Sequence, residues 1–324
     1  MTIELSSLQI KAKLPEVPKS LPVFALAAPT LDDRRKAIAG LGERMKLGAL
    51  RSVELDHGTV MASERGDITC FHASGAVWAR DATAAADSTD EMRKWEGVKD
   101  SGPDGQRMVL DADAAKRLIG QARELLEPLG LLARELASEA VQLEQVAKLN
   151  AKGKEVAHGA GQATVKFQYA VADRPVRGAG AKTLLFAEPA GAQARTAGVF
   201  HAWRDVGKDT AIRMPELDAA LEVGLLNDPE LDQYSAAGHA IVITRLELVY
   251  LALPAFLRQS HLFPAFQIEG AVSEGKLGIG FDFARFHHAA PPSAYAAADL
   301  YGPYLAINPD GIGARGSTKK KTKA

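Results

Sequence analysis

Cysteine is almost absent from this chain: Cys70 is the single one in 324 residues. One cysteine excludes an internal disulfide framework and a metal site built from several thiolates. Its neighbours Thr69 and Phe71 continue an apolar strand pattern, so we interpret Cys70 as a small buried hydrophobe and not as a reactive thiol.

The net charge of the chain is also close to zero. The 39 basic and 40 acidic residues leave a formal charge of −1, so no global field draws nucleic acid or an anionic membrane to the chain. The lysines near the C-terminus are too few to change this at physiological salt, and we interpret them as a solubilising tail. We therefore expect no specific nucleic-acid partner.

Long apolar runs are also missing. The longest, residues 21–28 and 241–254, are too short or too interrupted by charge to cross a membrane as helices. Pro15, Pro18 and Pro22 interrupt the approach to the first run, which does not match a signal peptide. The sequence predicts a protein without a membrane span, with the cytoplasm as its default location and export as the alternative.

The remaining composition, 47% hydrophobic and 24% charged, is that of an ordinary soluble protein. The length predicts two domains or one large one. We divide the chain into an extended N-terminal arm (1–22), a first α+β module (23–108), a second α+β module (109–275), and a Gly/Pro-rich segment ending in a disordered Lys-rich tail (276–324). Residues 1–20 and 312–324 are expected to be dispensable for folding.

Turns and caps indicate where the elements lie. Gly-bearing turns at 56–58 and 64–66 separate short apolar strands, a pattern typical of an antiparallel meander. N-cap and first-turn residues predict helices starting after Thr30, after Asp111 and at Pro215, the last running to about residue 227. Residues 82–108 are polar and are predicted to form a surface loop or module boundary. Residues 131–150 are ambiguous, and we predict a helix followed by a strand.

Two stretches repeat one theme. Residues 67–81 and 184–206 each contain an apolar strand, a turn, and a second strand that ends in Trp with Arg-Asp close behind. This duplication predicts an α+β fold of two related modules, each a curved antiparallel sheet covered by one or two helices. Trp78 and Trp203 are then expected to be mostly buried, in related places.

The sequence contains no complete motif for binding a nucleotide or a metal ion. Residues 178–183 resemble a phosphate-binding loop but carry Val176 and Ala181 where that motif needs glycine, and a strand follows where a helix is required. Residues 275–280 are Gly-rich without a helix start and are interpreted as a mobile loop. The eight histidines include no helical i, i+4 pair, and no Gly-x-Ser-x-Gly motif occurs. We expect no cofactor and no metal.

One cluster near the C-terminus suggests a binding surface. Phe281, Phe283 and Phe286 stand at what we take as alternate positions of a strand, which would place three aromatic rings on one face beside Arg285. The alternative interpretation is a strand that packs its apolar face into the core. His201 and Arg204 complete the candidate binding residues.

The pattern of a helix opened by Asp111-Ala112-Asp113-Ala114-Ala115, the strand 165–169, a Trp-containing strand, a further helix, and the strands at 249–251 and 262–268 resembles bacterial PepSY-like proteins. These include the extracytoplasmic accessory proteins that restrain a sensor histidine kinase. The resemblance implies a helix packed across a curved antiparallel sheet, often as a tandem pair. It implies no catalytic residues.

These observations favour a non-enzymatic binding or regulatory protein whose partner is another protein. It would act through a sheet face or the cleft between modules, and a small-molecule ligand remains open. The alternative is an enzyme whose site is assembled from distant residues around His201, Arg204, Asp205 and His239.

Overall fold

The structure is a computed structural model that describes residues 8–87, 92–101, 107–133, 135–190, 193–217, 228–273 and 280–289. These residues form an α+β fold dominated by strands, as the sequence predicted. The helices are α1 (Leu31–Arg44), α2 (Ala82–Asp87), α3 (Ala112–Leu126) and α4 (Pro229–Ala236), with a short 3-10 turn at Glu127–Leu129. The strands are β1 (Leu8–Ile10), β2 (Ser20–Ala27), β3 (Arg51–Leu55), β4 (Gly58–Ser63), β5 (Gly66–Phe71), β6 (Val77–Asp81), β7 (Val98–Ser101), β8 (Arg107–Leu110), β9 (Leu136–Leu149), β10 (Glu155–Val171), β11 (Arg174–Arg177), β12 (Lys182–Ala190), β13 (Gln193–Ala202), β14 (Asp205–Arg213), β15 (Ile241–Leu251), β16 (His261–Val272) and β17 (Phe281–His288).

One sheet of 15 strands contains all of these except β7 and β8. Its main path runs β14-β2-β16-β15-β11-β10-β12-β13-β6-β5-β4-β3, while β1 pairs with β15, β17 with β16, and β9 with β10. Pairing is antiparallel apart from β1–β15 and β11–β15. The long apolar strand β15 pairs with β16 over ten register positions, Ile241–Leu251 against Phe263–Val272.

Local signals placed α1 and the meander that follows it correctly. Thr30 caps α1 in a capping box: its hydroxyl accepts from the Asp33 amide, and the Asp33 carboxylate accepts from the Thr30 amide. Hydrogen bonds from Thr30 lower the pKa of Asp33. The meander β3–β4–β5–β6 follows as predicted, and Cys70 in β5 is buried at 2% exposure, where burial raises the pKa of its thiol.

The main core lies on what we call the inner face of the sheet, the face that carries Val77, Tyr169 and Tyr250. α1 and α3 pack here, and their buried side chains belong to one apolar cluster with residues of strands β5, β6, β10, β12 and β13. Leu26 of β2 and Val206 of β14 contact the same cluster, although both strands lie at the far end of the path from β6. The sheet therefore curves around this core.

A second apolar cluster lies under α4. Leu231 of α4 is fully buried against Leu248 of β15 and Phe266 of β16. Leu248 and Tyr250 are two residues apart on one strand and so point to the same side. Both clusters thus occupy the inner face.

Strand pairing crosses the predicted module boundary. β6 from the first module pairs with β13 from the second, so the two stretches that share the Trp theme are neighbours in one sheet. Residues 82–108, predicted as a loop or boundary, hold α2, β7 and the start of β8. The division into two related modules is not confirmed by this continuous sheet.

The prediction of a helix in the first part of residues 131–150 is wrong. Residues 136–149 form β9, which pairs with β10 along its length. Leu143 is the buried residue of this strand, whereas a helix would have needed a buried stripe. Pairing with a distant strand overrode an ambiguous local pattern.

The described part of the N-terminal arm is docked on the fold, and whether residues 1–20 are dispensable for folding stays a prediction. Leu8–Ile10 pairs in parallel with Ile241–Ile243 of β15, and Leu8 and Val17 pack against the cluster under α4. Prolines kept this segment out of a helix, but an extended chain is what an edge pairing requires. Residues 218–227 of the helix predicted from Pro215, residues 275–279 of the predicted loop and the tail at 312–324 lie outside the described residues.

Candidate functional site

Three aromatic side chains form a patch on the outer face, the face opposite the inner one. They are Trp78 of β6, Phe186 of β12 and Phe200 of β13, and all three are partly exposed. The Trp78 ring lies edge-on to both phenylalanines, with centroids 5.4 Å from Phe186 and 5.7 Å from Phe200. Such edge-to-face contacts fix the rings relative to one another.

Strand register explains how the patch assembles. Trp78 lies directly opposite Phe200. Phe186 lies opposite Gly198, which is two residues before Phe200 on β13 and so faces the same side. A Cβ at Gly198 would stand 3.4 Å from the Phe186 ring, so glycine leaves room for Phe186 to lean toward Trp78. We call these three residues the aromatic patch.

Charged side chains of β5 and β6 border the patch. Arg80 donates two hydrogen bonds to Asp67 Oδ2, at 3.1 Å from Nε and 2.7 Å from Nη2. The Arg80 side chain is 54% exposed, so the pair adds little stability, but it fixes a guanidinium beside the rings.

A ladder of polar side chains continues across the outer face. Arg177 donates to Gln168 at 2.7 Å and lies 3.6 Å from Glu247. Arg245 then bridges Glu247 at 2.8 Å and Glu269 at 3.0 Å. The outer face thus combines partly exposed aromatic rings with fixed charges of both signs, a composition found at protein interfaces.

The predicted residue His201 lies on the inner face and is 1% exposed. Its Nδ1 is 2.8 Å from Thr183 Oγ1, and that hydroxyl also contacts the Tyr169 hydroxyl and donates to the Leu131 carbonyl. Burial, with the nearby Arg34, lowers the pKa of His201 to about 3, and burial raises the pKa of Tyr169 to about 12. The imidazole is therefore neutral and closed off from solvent.

Arg204, the second polar candidate, is 3% exposed and binds backbone carbonyls. Its guanidinium donates to the carbonyls of Leu253 and Pro254 at 3.3 Å and of Leu257 at 2.5 Å. These bonds fasten the connection between β15 and β16, so Arg204 positions a loop.

The C-terminal cluster divides between the two faces. Phe281 and Phe283 belong to the cluster under α4 on the inner face, while Phe286 packs on the outer face with Val249 and Leu251. Phe286 is an odd number of residues from Phe283, and alternation sends it to the other side. The expected single aromatic face is therefore not present.

Arg285 is buried at the start of α4. Its Nε lies 3.4 Å from Asp228 Oδ2, its Nη2 contacts Glu230, and its guanidinium lies over the Phe283 ring. Asp228 also caps the helix through its other oxygen. His287 approaches the same carboxylate at 3.9 Å, and burial lowers its pKa to about 4.

The residues named for the alternative enzyme do not lie together in one site. His239 Nδ1 donates to the Ser273 carbonyl, 2.8 Å away, and its ring lies edge-on to Tyr234. Both residues lie outside the main core that holds His201. Asp205 is exposed at the start of β14. Within the described residues, no group of three or more His, Cys, Asp and Glu is placed to hold a metal ion.

The two Trp residues are not equivalent. Trp78 lies on the outer face, whereas Trp203 follows β13 and packs on the inner core, 4.8 Å from the Tyr169 ring. Sequence reasoning singled out Trp78 for its place in a repeat and missed the aromatic patch. The available signal was the apolar alternation of β12 and β13, which puts Phe186 and Phe200 on one side of the sheet.

Comparison with known proteins supports the fold alone. No protein-family model matches the chain, and no curated protein matches it. A crystal structure of an uncharacterized protein from Eubacterium rectale is similar, with a TM-score of 0.53 and 9% sequence identity over 88% of this chain and 89% of that one. Among the described residues, the structure contains no helix of the length and apolarity needed to cross a membrane.

Proposed function

We propose that this chain is a non-enzymatic binding protein that holds a protein partner on its outer sheet face, centred on the aromatic patch. The observation that carries the proposal is the trio of partly exposed, mutually oriented rings of Trp78, Phe186 and Phe200. Trp and other aromatics at the centre of a surface, with charged groups at its border, are the residues that contribute most to protein binding.

The location of the helices supports this choice of face. α1, α3 and α4 all contribute their buried side chains to the inner clusters. Of the polar candidates, His201 makes buried contacts on the inner face, and Arg204 donates to backbone carbonyls. The proposal is compatible with restraint of a partner, which the resemblance to PepSY-like proteins implies. It is also compatible with an origin of the chain in two related modules.

Phe186→Lys is the decisive variant. The lysine stem keeps apolar contact with Trp78 while its ammonium places a charge in the centre of the patch. The control is Glu43→Gln on α1, which changes the net charge by the same amount on an exposed position away from the outer face. Near-ultraviolet circular dichroism of both proteins checks that they fold.

Partners are captured from the native host with each protein and quantified against the parent. We expect a specific partner to be retained by the parent and by Glu43→Gln and to fall at least tenfold with Phe186→Lys. Equal capture by both variants would refute the role of the patch. A thermal shift with a metal, nucleotide or metabolite, together with turnover, would favour the enzyme instead.

A further inference from the structure

The two ends of the main sheet path are protected differently. At one end, β14 breaks register with β2 between Val206 and Asp209, and Lys208 lies in that break. Bulges and lysines are the usual devices that stop an edge strand from pairing with another chain. At the other end, β3 keeps an unbroken register with β4; it carries the charged residues Arg51 and Glu54 but no lysine, proline, glycine or bulge.

The free side of β3 is accessible. All five of its residues are exposed, and no strand among the described residues pairs with the side away from β4. Val53 is 56% exposed and Leu55 is 42% exposed. An exposed edge strand with aliphatic side chains is a template on which a strand of another chain can pair.

Backbone groups on this side are available for a ladder. Leu55 and Gly58 flank a two-residue turn and are register partners. Residues that flank such a turn exchange hydrogen bonds across the hairpin, and the direction alternates along the strand. The N–H and C=O groups of Ser52 and Glu54 therefore point away from β4.

We propose that β3 pairs antiparallel with β3 of a second copy of this chain, about a two-fold axis through Val53. In this register Val53 lies opposite Val53 of the partner subunit, and Ser52 lies opposite Glu54 of the partner subunit. Sliding the strands by two residues in one direction would place Glu54 against the partner's Glu54, which opposes like charges. The centred register joins aliphatic to aliphatic and places the Ser52 hydroxyl opposite the Glu54 carboxylate, which also accepts from Thr59 within its own chain.

The dimer extends the outer face. Val53 continues a cross-strand row that runs through Val60 and Thr69 to Trp78 of the aromatic patch. A two-fold axis perpendicular to the sheet keeps both outer faces on the same side, so the two patches lie on one continuous surface. The inference does not depend on the proposed function, since the dimer forms without an outside partner.

The association should be weak. One pair of five-residue strands buries less than a standard protein interface of about 1,200–2,000 Å². We therefore expect a dissociation constant in the micromolar range and a dimer that appears only as concentration rises.

Ser52→Pro is the matched test. Proline removes the outward N–H of residue 52 and is tolerated at an edge position that donates no bond to the neighbouring strand. Ser52→Ala keeps the N–H and serves as the control. Val53→Glu is a second variant, because it places two carboxylates opposite each other in the centre of the pair.

Sedimentation velocity of the full chain from about 1 to 500 µM measures the outcome. We expect the parent and Ser52→Ala to shift from monomer to dimer, and Ser52→Pro and Val53→Glu to weaken association at least tenfold with unchanged circular dichroism. A parent that stays monomeric over the whole range would overturn the proposal. So would a folded Ser52→Pro or Val53→Glu that dimerises as the parent does.

Discussion

Thr183 Oγ1 lies 2.8 Å from His201 Nδ1, and the two residues are register partners on β12 and β13. The hydroxyl has a single hydrogen, which it donates to the Leu131 carbonyl at 3.0 Å. In the arrangement in which Thr183 donates to Leu131, Thr183 accepts from His201, and the proton of the neutral imidazole is on Nδ1. The Nε2 atom is buried and has no hydrogen-bond partner among the described residues.

This buried imidazole makes stability depend on pH. The pKa of His201 is lowered to about 3 in the folded chain, while an unfolded histidine titrates near 6.5. Between those values the unfolded chain binds a proton that the folded chain does not, so stability falls as the pH is lowered. His287, with its pKa lowered to about 4, adds to the same loss.

His201→Asn removes one of these titrations. The asparagine amide reaches the position of Nδ1 and keeps a donor for Thr183. Urea unfolding at several pH values should show a slope between pH 6 and 4 that is smaller than in the parent by about 1 kcal/mol per pH unit. The pH 8 values give the cost of the substitution itself. An unchanged slope would mean that His201 is protonated in the folded protein.

The Thr183 hydroxyl can be tested separately. Thr183→Val keeps the shape but leaves the Leu131 carbonyl and the His201 N–H without this partner in a buried site. We expect a loss of about 2–3 kcal/mol in the free energy of unfolding. Thr183→Ser keeps the hydroxyl, lacks one methyl group and should cost about 1 kcal/mol. Equal losses for the two variants would show that packing, not hydrogen bonding, accounts for the effect.

Local signals in the sequence predicted local structure well. The Thr30 cap and the glycine turns of the meander are complete within a few residues, and the sequence could place them. β9 could not be placed, because its strand state depends on β10 as a partner. The aromatic patch has the same origin: Trp78 and Phe186 meet because β13 lies between their strands, more than 100 residues along the chain from Trp78.

Arg204 illustrates why a functional residue is harder to predict from sequence than a local element of structure. A Trp-Arg-Asp sequence suggested a polar site, but the carbonyls that bind Arg204 come from residues 253–257, in another part of the chain. Residue type alone cannot separate an arginine that binds a ligand from one that binds backbone.

The loop beside Arg204 provides a test of close packing. A Cβ at Gly180 would stand 1.9 Å from the Leu253 carbonyl oxygen and 3.0 Å from Arg204 Nη1. Backbone cannot move aside cheaply, so Gly180→Ala should destabilise the protein by more than about 2 kcal/mol. Gly120→Ala in α3 meets nothing within 4 Å and should stabilise by up to about 1 kcal/mol. Thermal unfolding of both variants checks the opposite signs. A Gly180→Ala variant as stable as the parent would show that the loop is not held by Arg204.

The N-terminal arm supplies the last prediction. Leu8 packs against the cluster under α4 and pairs with Ile241, whereas Leu14 in the same arm is 50% exposed. Leu8→Ser should therefore cost about 1–2 kcal/mol through lost burial, and Leu14→Ser should change the free energy of unfolding by less than about 0.5 kcal/mol. Amide hydrogen exchange at Ile241–Ile243 should accelerate with Leu8→Ser, because β1 covers that end of β15. If both variants unfold like the parent, the arm contributes nothing to stability, and the original expectation that residues 1–20 are dispensable would be correct.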